Sequence, residues 1–165
     1  MNIGIIGLGA VGGAVKKGFE FIGHNVFGHD IKLDTSIEDV LDTEMIYICV
    51  GTPSKEDGSC DVEAVFQVIS DLDKLNYNGI IVIKSTVTPG TTDYLQMRYS
   101  DKKIAFVPEF LRERCAYEDF TKNHDLLLVG TNNENYYNIV LTAHGKFPKE
   151  RSMCDPTEAE LVKYF

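Results

Sequence analysis

Ile3-Gly4-Ile5-Ile6-Gly7-Leu8-Gly9-Ala10-Val11-Gly12 opens the chain with an apolar run and then three glycines at G-x-G-x-x-G spacing. Each glycine has a separate physical reason. Gly7 allows a tight turn at the end of a strand, Gly9 lets a pyrophosphate approach the backbone, and Gly12 lets the next helix lie against the sheet. Val11, Ala14, Val15, Gly18, Phe19 and Ile22 then fall at helical spacing and make one apolar or small face. Gly23 suits a helix C-cap, and Asn25 to His29 reads as a second strand that delivers Asp30 to the carboxyl edge of the sheet. There a carboxylate accepts hydrogen bonds from ribose hydroxyls and repels a 2′-phosphate. The βαβ unit therefore predicts dinucleotide binding, with the phosphates at the helix N-terminus and NAD favoured over NADP.

The alternation continues along the chain. Ser36 to Leu41 predicts a short helix, Met45 to Val50 a third strand, and Asp61 a helix start with Val62, Val65, Phe66 and Ile69 on one face. Ile80-Ile81-Val82-Ile83 is apolar throughout, as in a strand buried on both faces. Thr88 is placed to cap the next helix with Pro89 at its first position. Ile104 to Val107 predicts a fifth strand, Leu126 to Val129 a sixth, and Tyr136 to Thr142 a helix. Asp155-Pro156 marks a last helix start, ten residues or fewer from Phe165. This order gives an α/β fold: Rossmann-like, doubly wound, a mainly parallel sheet with helices on both faces.

Composition narrows the function classes. The 165 residues are 44% hydrophobic and 25% charged, with a net charge of −9, which repels nucleic acid and anionic membranes at long range. The first strand begins without a basic leader, and no run reaches the roughly 18 apolar residues of a membrane span, so a cytoplasmic location is expected. Cys49, Cys60, Cys115 and Cys154 form no C-x-x-C pair, and the four histidines are scattered, so no metal site is expected and the thiols are read as free. Cys49 reads as a core thiol, and His124 as a surface or turn residue.

Three further segments follow the carboxyl ends of strands, where doubly wound folds place their chemistry. They are Val50-Gly51-Thr52-Pro53 with Asp57-Gly58-Ser59-Cys60-Asp61, then Lys84-Ser85-Thr86-Val87-Thr88-Pro89-Gly90-Thr91, then Pro108-Glu109-Phe110-Leu111-Arg112-Glu113. Each alone has an ordinary reading as turn chemistry, a helix start or a solvated acid. Together, and with Thr157-Glu158-Ala159-Glu160-Leu161-Val162-Lys163-Tyr164, they resemble the N-terminal NAD-binding domain of the UDP-glucose/GDP-mannose dehydrogenases over nearly the whole chain.

That resemblance implies that Gly7, Leu8, Gly9, Ala10, Val11, Gly12 and Asp30 hold the adenosine half of NAD, and that Val50, Thr52, Pro53, Ser85, Thr86 and Val87 line the rest of its path. Glu113 would lie near the nicotinamide end. Glu109 would work with water in the hydrolytic half of the reaction, with Thr86 helping to position that water. Glu109, Phe110, Leu111 and Arg112 would belong to the substrate site. The implied reaction oxidises a sugar C6 alcohol of UDP-glucose or a similar nucleotide sugar to a carboxylate, using a cysteine nucleophile and a lysine.

In the resembled family the cysteine lies in a G-G-S-C type segment, which this chain lacks. Lys163 is not assigned to the lysine role, which is expected beyond Phe165. Residues 1–155 are therefore expected to form the NAD-binding domain, with 156–165 starting a helix toward an absent central helix and C-terminal domain. The cofactor portion would be inactive alone, as part of a homo-oligomer or beside a partner chain that supplies the missing half. The stretch between Asp30 and Val50 lacks an E-P-G-L type segment, and Arg114 stands where the family has glycine. Two other readings are a stand-alone NAD-binding module or pseudoenzyme subunit without turnover, and a minimal dehydrogenase of the β-hydroxyacid type, where P-E-F-L-R-E is not expected.

Overall fold

The computed structural model describes residues 1–110, 115–122 and 124–165. Among these, seven strands form one sheet in the order β2-β1-β3-β4-β5-β6-β7. The strands are β1 (Asn2–Ile6), β2 (Asn25–His29), β3 (Met45–Ile48), β4 (Ile80–Ile83), β5 (Lys103–Phe106), β6 (Leu126–Gly130) and β7 (Glu150–Cys154). The helices are α1 (Ala10–Ile22), α2 (Glu63–Lys74), α3 (Thr91–Arg98), α4 (Ala116–Thr121), α5 (Glu134–His144) and α6 (Pro156–Val162), with a 3₁₀ turn at Ile37–Val40.

Strand alternation builds two cores. Ile3, Ile5, Met45, Tyr47, Ile80, Val82 and Ala105 point to one face, where Val15 and Phe19 of α1, Phe120 of α4 and Val140 and Ala143 of α5 cover them. Ile6, Ile46, Ile48, Ile81, Ile83, Ile104 and Phe106 point to the other, under Val65, Ile69 and Leu72 of α2, Leu95 of α3 and Ala159 of α6. Continuous apolar strands are what a sheet buried on both faces requires. Gly18 permits the close crossing of α1 and α4, since a Cβ there would lie 2.1 Å from the Phe120 ring.

The first five strands are parallel, as the sequence predicts. The sheet then departs from that pattern, because β6 pairs antiparallel to β5 through Phe106 and Gly130, and β7 runs parallel to β6. The sequence reading omits β7. Glu150-Arg151-Ser152-Met153-Cys154 is an edge strand whose first four residues are exposed, so it carries no apolar period, and it exists through its ladder to β6.

The start of α3 also differs from expectation. The helix begins at Thr91 after Gly90 in the left-handed conformation (φ 92°), and no neighbouring side chain caps it. Its cap comes from Glu160, whose carboxylate accepts from Gly90 N at 2.5 Å, Thr92 N at 2.8 Å and Thr92 Oγ1 at 2.5 Å. Asp155 caps α6 as expected, accepting from Thr157 N at 2.9 Å, with Pro156 in the first turn.

Candidate functional site

The chain leaves β1 for β2 on one side and returns to β3 on the other, so the strand order reverses between β1 and β3. Ligands of open α/β sheets bind in the crevice outside the carboxyl ends of strands at such a switch point. The loops after β2, β1, β3, β4 and β5 stand side by side along this edge, carrying in turn Asp30, the glycine turn, Val50–Pro53, Ser85–Val87 and Pro108–Glu109.

The glycine turn separates into packing and open positions. Gly7 has φ 91°, and a Cβ there would lie 2.6 Å from the Cys49 carbonyl oxygen. A Cβ on Gly12 would lie 1.8 Å from the Gly7 carbonyl oxygen. Nothing lies within 4 Å of a Cβ built on Gly9, which caps α1 without any side-chain hydrogen bond. The first-turn N–H groups of α1 thus face an open cradle with no acidic residue in that turn, and a pyrophosphate fits there.

Asp30 ties this turn to β2. Its Oδ2 accepts from Leu8 N at 2.7 Å and its Oδ1 from Lys32 N at 2.8 Å. The backbone N–H groups of Lys32 and Leu8 hold its carboxyl below the usual carboxylate range. A fixed, ionised acid with lone pairs to spare fits ribose hydroxyls.

Farther along the edge, the Ser85 hydroxyl donates to the Val50 carbonyl at 2.7 Å, joining the loops after β4 and β3. Cys60 Sγ lies 3.3 Å from the Thr86 carbonyl oxygen, folding the Asp57–Asp61 turn back on the same loops. Thr86 is partly exposed. Cys49 sits behind the glycine turn, partly buried against the core, and burial pushes its thiol up to about 12.

At the β5 end, Lys84 Nζ lies 3.2 Å from Glu109 Oε2, with both side chains buried. Lys163 at the end of α6 donates to the Glu109 carbonyl oxygen. Burial lowers the affinity of the half-buried Lys163 amine for its proton; Glu109 opposes that effect and Lys84 adds to it. The sequence reading assigns Lys163 no role, yet the fold brings it to the site. A cleft of about 390 Å³ opens here, lined by Lys84, Glu109, Phe110, His124, Val162 and Phe165 among others. His124 is therefore a cleft residue rather than a surface turn, and burial pushes its imidazole down to about 4. Leu111, Arg112 and Glu113 lie outside the described residues. No group of three metal-ligating side chains occurs among the described residues.

The edge-on series of loops, the bare helix N-terminus and the acid at the end of β2 define a dinucleotide-binding domain of the Rossmann type. The sequence pattern of the UDP-glucose/GDP-mannose dehydrogenase family, NAD binding domain, matches residues 31–147, and the chain belongs to that family. Its cofactor is NAD. Among curated relatives, a UDP-glucose 6-dehydrogenase of Rickettsia bellii is 32% identical over 99% of this chain and 47% of its own length. Among solved structures, a UDP-glucose dehydrogenase from Pyrobaculum islandicum superposes with a TM-score of 0.87 at 30% identity, over 99% of this chain and 48% of the other. A ternary complex of GDP-mannose dehydrogenase from Pseudomonas aeruginosa shares the fold, with a TM-score of 0.87 at 24% identity, over 99% and 48%. The chain spans about half the length of the curated relatives it matches.

Proposed function

We propose that the chain is the cofactor-binding portion of an NAD-dependent nucleotide-sugar 6-dehydrogenase, acting on UDP-glucose or a similar sugar nucleotide. One observation carries this reading. The Lys84–Glu109 pair and Lys163 meet at the far end of the same sheet edge that begins with Asp30 and the glycine turn. Four interstrand steps of about 4.8 Å separate β2 from β5, a span suited to an extended dinucleotide with its reactive end near Glu109.

In this reading the residues from Gly7 to Gly12, with Asp30, hold the adenosine diphosphate half, and Val50, Thr52, Pro53, Ser85, Thr86 and Val87 border the remainder. NAD, when bound, supplies the hydride acceptor. The chain's own residues manage charge and protons around the substrate. Glu109 can take a proton from the alcohol or from a water held near Thr86, with the Lys84 ammonium 3.2 Å from its carboxylate. The Lys163 ammonium stands by as the cation for negative charge that develops on a substrate oxygen. Phe110, Leu111 and Arg112 would contact the sugar nucleotide, and Glu113 the nicotinamide end. Residues 1–155 form the NAD domain in this scheme, and 156–165 lead toward the remainder of the enzyme. That remainder, in the same or a partner chain or in a homo-oligomer, supplies the nucleophilic cysteine, so the 165 residues alone bind cofactor without turnover. The working compartment in this reading is the cytoplasm, with which four free thiols are consistent.

Calorimetric titration with NAD, then with UDP-glucose in the presence of NAD, followed by absorbance of NADH, tests the proposal. Binding of NAD without NADH formation is expected. Failure to bind NAD overturns the site, and NADH formation overturns the assignment of the nucleophile elsewhere. A cofactor-sensing module gives the same NAD result but stays inactive when the remaining half of a relative is added, whereas the dehydrogenase reading expects NADH then.

A further inference from the structure

Helix α6 is joined to the site loops at separate points. Its Glu160 carboxylate, fully buried, accepts from Gly90 N, Thr92 N and Thr92 Oγ1. Its neighbour Tyr164 donates its hydroxyl to the Val87 carbonyl at 2.9 Å, and Lys163 donates to the Glu109 carbonyl. The loop after β4 is thereby held along its length: Ser85 is bonded to Val50, Val87 to Tyr164, and Gly90 with Thr92 to Glu160.

A buried carboxylate is costly unless several donors meet it, and three do. Burial still pushes this carboxyl up, against the lowering effect of the Thr92 and Gly90 donors. An apolar side chain would fill the same space without that cost, so packing alone does not explain an acid here. What the acid adds is direction. It gathers the N–H groups of a turn that its own neighbours leave uncapped, and Gly90, at φ 92°, has the freedom to reach it.

We propose that Glu160 is a positioning residue of the cofactor site, fixing the Val87–Gly90 turn so that Thr86 and the backbone of the Ser85–Val87 loop face the nicotinamide half of NAD while the Ser85 and Val87 side chains pack beneath it, with Tyr164 as its second anchor. The inference rests on the reading that the loop after β4 borders that half of the cofactor. Among the described residues Glu160 bonds to Gly90 and Thr92 of this segment; in the same reading the adenosine half is held by a different turn, after β1.

The test compares NAD with ADP, which lacks the nicotinamide half, on the 165-residue chain. Glu160→Gln keeps the side-chain size but turns an NH₂ group toward N–H donors. It is expected to weaken NAD binding at least tenfold while ADP affinity stays within twofold. Tyr164→Phe removes one hydrogen bond from a half-exposed ring and so spares the fold; it is expected to weaken NAD several-fold, again without affecting ADP. A general loss of structure moves both ligands together. Equal loss of NAD and ADP, or unchanged NAD affinity in Tyr164→Phe, overturns the inference while leaving the cofactor reading intact. If the unaltered chain binds neither NAD nor ADP, the cofactor reading fails and this inference falls with it. If it binds ADP and NAD equally, the loop makes no contact with the cofactor and the inference is again overturned.

Discussion

The Lys84 ammonium lies 3.2 Å from the Glu109 carboxylate, and the two side chains are only 5% and 8% exposed. The pair links the ends of β4 and β5 at the point where the cleft opens. A buried pair of this kind resists removal of one partner far more than removal of both. Lys84→Met is therefore expected to lower stability by about 3 kcal/mol, read from the urea midpoint. Lys84→Met combined with Glu109→Gln is expected to recover most of that loss, and a larger loss in the double variant would contradict the pairing.

The glycine turn yields opposite outcomes at two positions. Gly12→Ala forces a Cβ to within 1.8 Å of the Gly7 carbonyl, so it is expected to unfold the turn and lower the melting temperature. Gly9→Ala meets nothing within 4 Å, so stability should change by no more than about 1 kcal/mol. Its methyl group would stand in the proposed phosphate cradle, and NAD affinity is expected to fall tenfold or more by calorimetry.

Asp30 is expected to carry the discrimination between cofactors. NAD is expected to bind at least tenfold more tightly than NADP, because a 2′-phosphate meets a fixed carboxylate. Asp30→Asn retains one acceptor for the Leu8 N–H and is expected to narrow the ratio chiefly by weakening NAD. A ratio unchanged in this variant would place the ribose elsewhere.

A buried imidazole, His144, and a partly buried one, His124, make stability depend on pH. Burial pushes His124 down to about 4 and holds His144 well below 6.5, while the unfolded chain takes up both protons near 6.5. The unfolded state thus binds more protons as pH falls, and stability is expected to decline from about pH 6.5 downward, by up to about 1.4 kcal/mol per pH unit for each histidine. Glu160, pushed up by burial, acts with the opposite sign toward the lower end, so urea midpoints between pH 7 and 5.5 give the cleanest slope. His124→Phe is expected to remove about half of it.

The sequence alone determined the βαβ unit, the parallel order of the first five strands and the loops that carry the site, because each follows from local chemistry. Glycine spacing sets the turn, apolar runs of four or five residues mark strands buried on both faces, and the 3.6-residue period marks α1. The tertiary structure decided what depends on distant partners. β7 has no apolar period and is a strand only through β6, and β6 turns antiparallel through pairing that no local residue encodes. The start of α3 is fixed by Glu160, about seventy residues along the chain, and not by Thr88 beside it. Lys163 and His124 have no motif to mark them; only the folded chain brings Lys163 to the Glu109 carbonyl and His124 into the cleft wall. Local propensity is written in neighbouring residues; the meeting of charges from separate elements is set only when the whole sheet closes its packing.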